Sequence, residues 1–201
     1  MGFLAPVRSL VYGVTDPEQA AEAARLGVGG VILHVGEGDP PRLSAERAAE
    51  VAAALPPLVL RLAVVDPGRS LPPGFAGAVT NPVQARPAGA GVRVVRLAHG
   101  RADPDQVPAD AEAAWVRPRP RGSASATRYD WERLGRLGLL LPLLLEVPDG
   151  AGGVEPVVRL GRPHGVVFAD AVRFGPGVVD LDALERCLAV VARLNKLALS
   201  G

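Results

Sequence analysis

Short apolar blocks alternate with amphipathic stretches along much of this chain, and the rhythm is clearest in its first third. Leu10 to Val14 reads as a strand, rich in β-branched and aromatic residues. Asp16-Pro17-Glu18 then offers an N-cap, a proline suited to the first helical turn, and an acid favoured by the helix dipole. This helix stops at Gly27, a residue type favoured just past a helix end. Val31-Ile32-Leu33 predicts a second strand. Ser44 caps a second helix, in which Ala48, Val51, Ala52 and Leu55 share one face. Pro56-Pro57 ends that helix, and Leu58 to Val65 predicts a third strand. Strands that are almost wholly apolar and separated by helices imply a parallel sheet covered by helices.

The middle of the chain is less regular. From Pro67 to Gly91 prolines and glycines are dense, and no amphipathic helix is predicted. Val83-Gln84-Ala85 reads as a brief strand, Val92 to Leu97 as a firmer one, and Ala113 to Val116 as another. After a basic loop, Asp130 opens a short helix, Leu139 to Leu145 predicts a strand, Val154 to Leu160 a helix, and Val166-Val167-Phe168 a strand. The closing helix from Leu181 places Leu184, Cys187, Leu188, Val191 and Leu194 on one stripe. An open doubly wound sheet usually has fewer strands and a glycine-rich turn after its first, which Gly13-Val14-Thr15 is not. The expectation is one α/β domain over residues 1–201, a (β/α)8 TIM barrel with its third and fourth βα units shortened or irregular.

Composition narrows the function classes. Apolar residues make up 48% of the chain, yet no run approaches the roughly 18 apolar residues a membrane helix needs. Basic and acidic residues balance at 22 and 21, and aromatics are 4%, which argues against a nucleic-acid surface. The basic run Arg117-Pro118-Arg119-Pro120-Arg121 reads as a solvated loop or a small-anion contact. A single cysteine, Cys187, leaves no intrachain disulfide or cysteine-rich metal site, and its stripe position marks it as core. The first residues are too short and too weakly basic to read as a secretory signal, so a cytoplasmic location is expected.

Several segments carry a more specific likeness. Tyr12-Gly13-Val14-Thr15-Asp16-Pro17-Glu18 is similar to a Cys-Gly-Ile-Thr strand end followed by an acid-capped helix, and Asp39-Pro40-Pro41-Arg42-Leu43-Ser44 to a Ser-Pro-Arg-Tyr-Val-Ser loop. Gln84 is similar to the glutamine of a Val-Gln-Leu-His-Gly strand end. Gly122-Ser123 and Tyr129-Asp130-Trp131 resemble a glycine-rich loop and a Phe-Asp-Trp. Arg162-Pro163-His164-Gly165 and Pro176-Gly177-Val178 resemble Arg-Pro-Tyr-Gly and Pro-Gly-Val-Lys-Asp. In this order, these segments resemble the phosphoribosylanthranilate isomerase family of tryptophan biosynthesis. The likeness is strongest over residues 10–66 and thin from 67 to 112.

The resemblance implies an Amadori rearrangement of an aminoaldose phosphate, with an aspartate as general acid and the first-strand cysteine as general base. Here Tyr12 stands at the base position and Arg117 at the acid position. A phenol is mostly protonated at neutral pH, and a guanidinium is always charged and has no proton to deliver. The family's phosphate-binding glycine turns are replaced by Glu146-Val147-Pro148-Asp149 before Gly150-Ala151-Gly152-Gly153, and by Asp170-Ala171-Val172-Arg173. Pro41 is in register with the family's anthranilate-binding arginine, with Arg42 one place away. The ligand-binding candidates are therefore Tyr12, Gly13, His34, Arg42, Gln84, Arg117, Gly152, Gly153 and Asp170, with His34 the substitute acid–base group. His34, Asp66, Glu146 and Asp170 are metal-ligand types without a compact motif, while His99 and His164 read as plain loop residues, so neither metal nor cofactor is expected.

Three functions follow as expectations. The first is an isomerase homologue that has lost the family mechanism and acts as a pseudoenzyme or small-anion-binding barrel. The second is an active isomerase with a substituted acid–base pair. The third is a regulatory or structural protein whose shortened segment from Pro67 to Gly91 exposes barrel flank to a partner. The expected ligand is a small anion or sugar phosphate, and the expected assembly a monomer or homodimer with neither nucleic acid nor membrane.

Overall fold

The computed structural model describes residues 6–39, 41–98, 102–120 and 128–200. Its centre is a ring of parallel strands: β1 (Arg8–Tyr12), β2 (Gly30–Val35), β3 (Leu60–Val65), β4 (Gly77–Thr80), β5 (Val92–Leu97), β6 (Ala113–Val116), β7 (Leu143–Glu146) and β8 (Gly165–Phe168). Each pairs with the next, and β8 returns to β1 with Ser9 beside Val166, so the sheet closes into a (β/α)8 barrel. A two-residue strand, Arg42–Leu43, extends the ring beyond the end of β2 by pairing with His34 and Val35.

Among the described residues five α-helices flank the barrel: α1 (Pro17–Arg25), α2 (Ala45–Ala53), α3 (Trp131–Gly138), α4 (Ala151–Gly161) and α5 (Leu181–Leu199). Four start where a side chain satisfies otherwise unpaired amides. Asp16 accepts from Glu18 and Gln19, Ser44 from Arg47, Asp130 from Arg133, and Asp180 from Ala183. Strand alternation sorts the core into two layers. Leu10, Tyr12, Ile32, Leu62, Val79, Val94, Trp115 and Val167 fill the barrel, while Val11, Val31, Leu33, Ala63, Val95, Val116 and Phe168 lie under the outer cover. Cys187 is buried in that cover, where burial pushes its thiol up to about 11.

Three details depart from the sequence pattern. The fourth strand is Gly77–Thr80, and Val83-Gln84-Ala85 lies in the loop beyond it, with Val83 97% exposed. The true strand was hidden by its small residues. A Cβ at Gly77 would run into the Val92 backbone, so close pairing with β5 demands a residue with little hydrophobic signal. The strand expected from Leu139 begins at Leu143, because α3 ends at Gly138 and exposed Leu139 and Leu140 form the turn. The irregular region also extends further than expected. Among the described residues no α-helix follows β3, β4 or β5, and only the 3-10 turn Pro104–Gln106 occupies the fifth connection.

The shortened connections do not leave the flank bare, contrary to the expectation of an exposed barrel wall. Ala63, Val65, Ala78 and Val95 are buried, and Leu71, Phe75, Ala90 and Val107 pack onto the same outer layer. Arg93 does the rest. Its side chain is 4% exposed and donates to Thr80 Oγ1, the Gln84 carbonyl and Asp110, while Arg86 binds Asp110 and Glu112 alongside. Fixed ion pairs and carbonyl contacts cover strands that helices cover elsewhere.

Candidate site at the barrel mouth

Interior alternation brings five polar side chains to the C-terminal ends of the strands, the face where barrels of this kind carry their chemistry. Tyr12 ends β1, His34 follows Ile32 on β2, Arg96 follows Val94 on β5, Arg117 follows Trp115 just past β6, and Glu146 ends β7. The Tyr12 hydroxyl and His34 Nδ1 are hydrogen-bonded at 3.1 Å. The Tyr12 ring sits 5.1 Å from fully buried Trp115, and the Arg96 guanidinium lies 4.5 Å over the Trp115 ring and 5.4 Å over Tyr12.

Arg173 reaches the same place from the hairpin after β8, formed by Arg173–Gly175 and Val178–Val179. Its Nη2 donates to the Tyr12 carbonyl at 2.7 Å, and its guanidinium stands 5.1 Å from the Tyr12 ring. Gly13 makes this approach possible. Its φ of +76° favours glycine, and a Cβ there would collide with the Arg173 guanidinium.

Charges around the mouth are largely paired. Arg117 Nε donates to Glu146 Oε2 at 3.2 Å and lies 4.0 Å from Asp170. Arg42 Nη1 lies 3.3 Å from Asp66 and also donates to the Glu37 carbonyl at 3.0 Å. Glu146 is 4% exposed, and burial pushes its carboxyl above the usual carboxylate range despite the opposing pull of Arg117 and Arg96. Burial likewise pulls His34 below the ordinary imidazole value, and Arg42 adds to that shift. Tyr129, buried behind the mouth, donates from its hydroxyl to the Val116 and Glu146 carbonyls and ties the ends of β6 and β7 together.

Two hollows open here. One of about 940 Å³ lies at the ends of β6, β7 and β8, lined by Arg117, Arg119, Arg128, Glu146, Gly150 and Asp170 among others. The other, about 160 Å³, lies at the ends of β2 to β5 and includes His34, Arg42, Asp66, Gln84 and Arg96. Asp170 stands between the large hollow and a shallow one against the hairpin, and its side chain is 76% exposed.

Most of the expected residues therefore converge, though not all on one hollow. Gln84 reaches the small hollow from the loop rather than from a strand end, and its Nε2 donates to the Val65 carbonyl at 3.2 Å. Gly152 and Gly153 lie in the first turn of α4, where Gly153 packs on Val147; Gly150 is the glycine that lines the large hollow. Gly122, Ser123, His99 and Arg121 lie outside the described residues. The four metal-ligand types divide, His34 and Asp66 at one hollow and Glu146 and Asp170 at the other. Among the described residues no group of three or more His, Cys, Asp or Glu is placed to hold a metal ion. Sequence reading missed Arg96 and Arg173. Arg96 was findable, since it shares inward parity with Val94; Arg173 was not, because a hairpin folds it back over β1.

Fold and site together define a parallel α/β barrel with a cation-rich mouth at its C-terminal rim. Comparison with known proteins then specifies its kin. No family model matches the chain. It is 29% identical to N-(5'-phosphoribosyl)anthranilate isomerase of Acidithiobacillus ferrooxidans, across 92% of this chain and 97% of that protein. It is 26% identical to the protein of that name from Gloeobacter violaceus, across 92% and 93%. The solved phosphoribosyl anthranilate isomerase of Thermus thermophilus superposes with a TM-score of 0.73 at 24% identity, covering 94% of this chain and all 100% of that one. The chain is a homologue of the phosphoribosylanthranilate isomerases.

Proposed function

We propose that this chain is a phosphoribosylanthranilate isomerase homologue that has left the acid–base mechanism implied by the family resemblance and serves in the cytoplasm as a small-anion-binding barrel. One observation carries the reading. Arg117, at the position assigned to the acid, is a permanent cation ion-paired to Glu146 at 3.2 Å. A guanidinium there binds anions and has no proton to give at neutral pH. Arg117, Arg119 and Arg128 all line the large hollow, which fits an anionic ligand better than a proton donor's surroundings. At the assigned base position Tyr12 is larger than a thiol, and its hydroxyl is engaged by His34.

The test is loss of phosphoribosylanthranilate fluorescence with purified protein, beside an active isomerase and a heat-killed control. The expected result is no turnover above background from a preparation shown to be folded. Sustained turnover would overturn the proposal.

A second reading is favoured by one contact. In the tautomer protonated at Nε2, His34 accepts the Tyr12 proton, while Glu146 is a buried carboxyl whose raised pKa suits a general acid. On this reading the chain still isomerises phosphoribosylanthranilate in tryptophan biosynthesis with a replaced pair. Turnover that survives both His34→Ala and Glu146→Gln removes it.

A further inference from the structure

Arg96 differs from Arg42, Arg117, Arg128 and Arg173 at the mouth. Arg42 is matched by Asp66, Arg117 by Glu146, Arg128 by Asp149, and Arg173 faces Asp170. No described carboxylate forms an ion pair with Arg96, whose neighbours are the Trp115 and Tyr12 rings. The Tyr12 hydroxyl interacts with it, Arg117 repels it, and Glu146 attracts it without an ion pair, its carboxylate being engaged by Arg117. Cation–π contact offsets only part of the cost of removing a charge from water. The protein thus holds an arginine near the barrel axis that lacks a counter-ion of its own.

Arg96 also lines the hollow of about 160 Å³ at the ends of β2 to β5. Asp66 lies there too, but Arg42 is 3.3 Å from its carboxylate, and the Gln84 amide is spent on the Val65 carbonyl. We propose that Arg96 is the receptor for the carboxylate of a small organic acid of a few carbon atoms, which enters this hollow and supplies the missing counter-ion. This inference rests on the anion-binding reading and assigns it a second, separate position in the mouth. A guanidinium offers a planar pair of donors that fits a carboxylate edge, which a lysine does not. The aromatic rings beneath hold it in place beforehand, so binding orders little side chain. The hollow is well below the roughly 300–1,000 Å³ of sites for larger ligands, which limits the occupant to a small acid.

Trp115 makes the test direct. The chain has 2 tryptophans, so Trp131→Phe leaves Trp115 as the sole tryptophan, directly under Arg96 and excited selectively at the red edge of its absorption. This background variant is titrated with acetate, propionate and inorganic phosphate at constant ionic strength, following emission and melting temperature. Arg96→Met, Arg96→Lys and the remote control Arg159→Gln are compared within it. Propionate should saturate an emission change and raise the melting temperature. Arg96→Met and Arg96→Lys should weaken binding by at least about tenfold, while Arg159→Gln leaves it unchanged. Ligand-free Arg96→Met should melt no lower than its parent, because it removes a half-buried charge that has no carboxylate partner. That result separates a receptor from a merely structural arginine, and Arg96→Lys carries the comparison if the methionine variant does not fold. Equal propionate affinity in both Arg96 variants overturns the inference and leaves the anion-binding reading standing. Preference for phosphate over propionate overturns the carboxylate class. No response to any of the anions removes the anion-binding reading and this inference with it.

Discussion

At the scale of single residues, the mouth is set by how burial changes ordinary side chains. His34 has its pKa lowered first by burial and then by Arg42, so in the folded chain it titrates below its ordinary value of 6.5. A folded value below the unfolded one means that its contribution to stability is present above about pH 6.5 and is lost as pH falls through the folded value. An NMR titration of the imidazole should show the low midpoint, and Arg42→Gln should raise it only part of the way, because burial is the larger cause. A midpoint at or above 6.5 in the parent protein contradicts this account. Glu146 has the opposite sign. Its folded pKa is raised by burial, so stability is fully present below its ordinary value of 4.5 and declines as pH rises through the folded value. Glu146→Gln should therefore be at least as stable as the parent at pH 7, with the gap closing toward pH 4.5. Paired melting curves at those two pH values check it. Tyr12, His34, Arg117, Glu146 and Asp170 were legible as strand-end residues. Their pairing was not, since alternation gives the inward face of a strand but not which neighbour a long side chain reaches.

At the scale of elements, helix starts were the most legible feature. Asp16, Ser44, Asp130 and Asp180 all cap through local hydrogen bonds that need no tertiary partner. Strand β4 was the least legible, because Gly77-Ala78-Val79-Thr80 is small for the sake of its neighbour rather than apolar for its own. The β1–α1 junction is the element on which the site depends most closely. Gly13→Ala should cost about 1–2 kcal/mol from its positive φ alone. It must also displace Arg173 from the Tyr12 carbonyl. A drop of roughly 2–8 °C in melting temperature is expected for a chain of this size. An unchanged melting temperature would show that Arg173 and the backbone accommodate the methyl group freely.

At the scale of the whole molecule, the barrel is asymmetric. Helices cover the strands from β6 round to β2, while loops and the Arg93 network cover β3 to β5. Segments held by few regular elements open more readily, so amide exchange should be faster in β4 and β5 than in β8 and β1. Arg93→Met should widen that difference and cost about 2 kcal/mol, since Thr80 and the Gln84 carbonyl lose a donor while Asp110 remains free to hydrate. Uniform exchange around the ring would refute the asymmetry. The sequence by itself determined the barrel, its caps and its irregular middle, because periodicity, capping and residue identity are local properties. Tertiary structure alone decided that Arg93 stands in for helices, that Arg173 folds over Tyr12, and that Arg96 rests on Trp115 without a carboxylate partner among the described residues. Those outcomes depend on side chains from strands far apart in the chain meeting on a closed ring, and no local pattern records such distances.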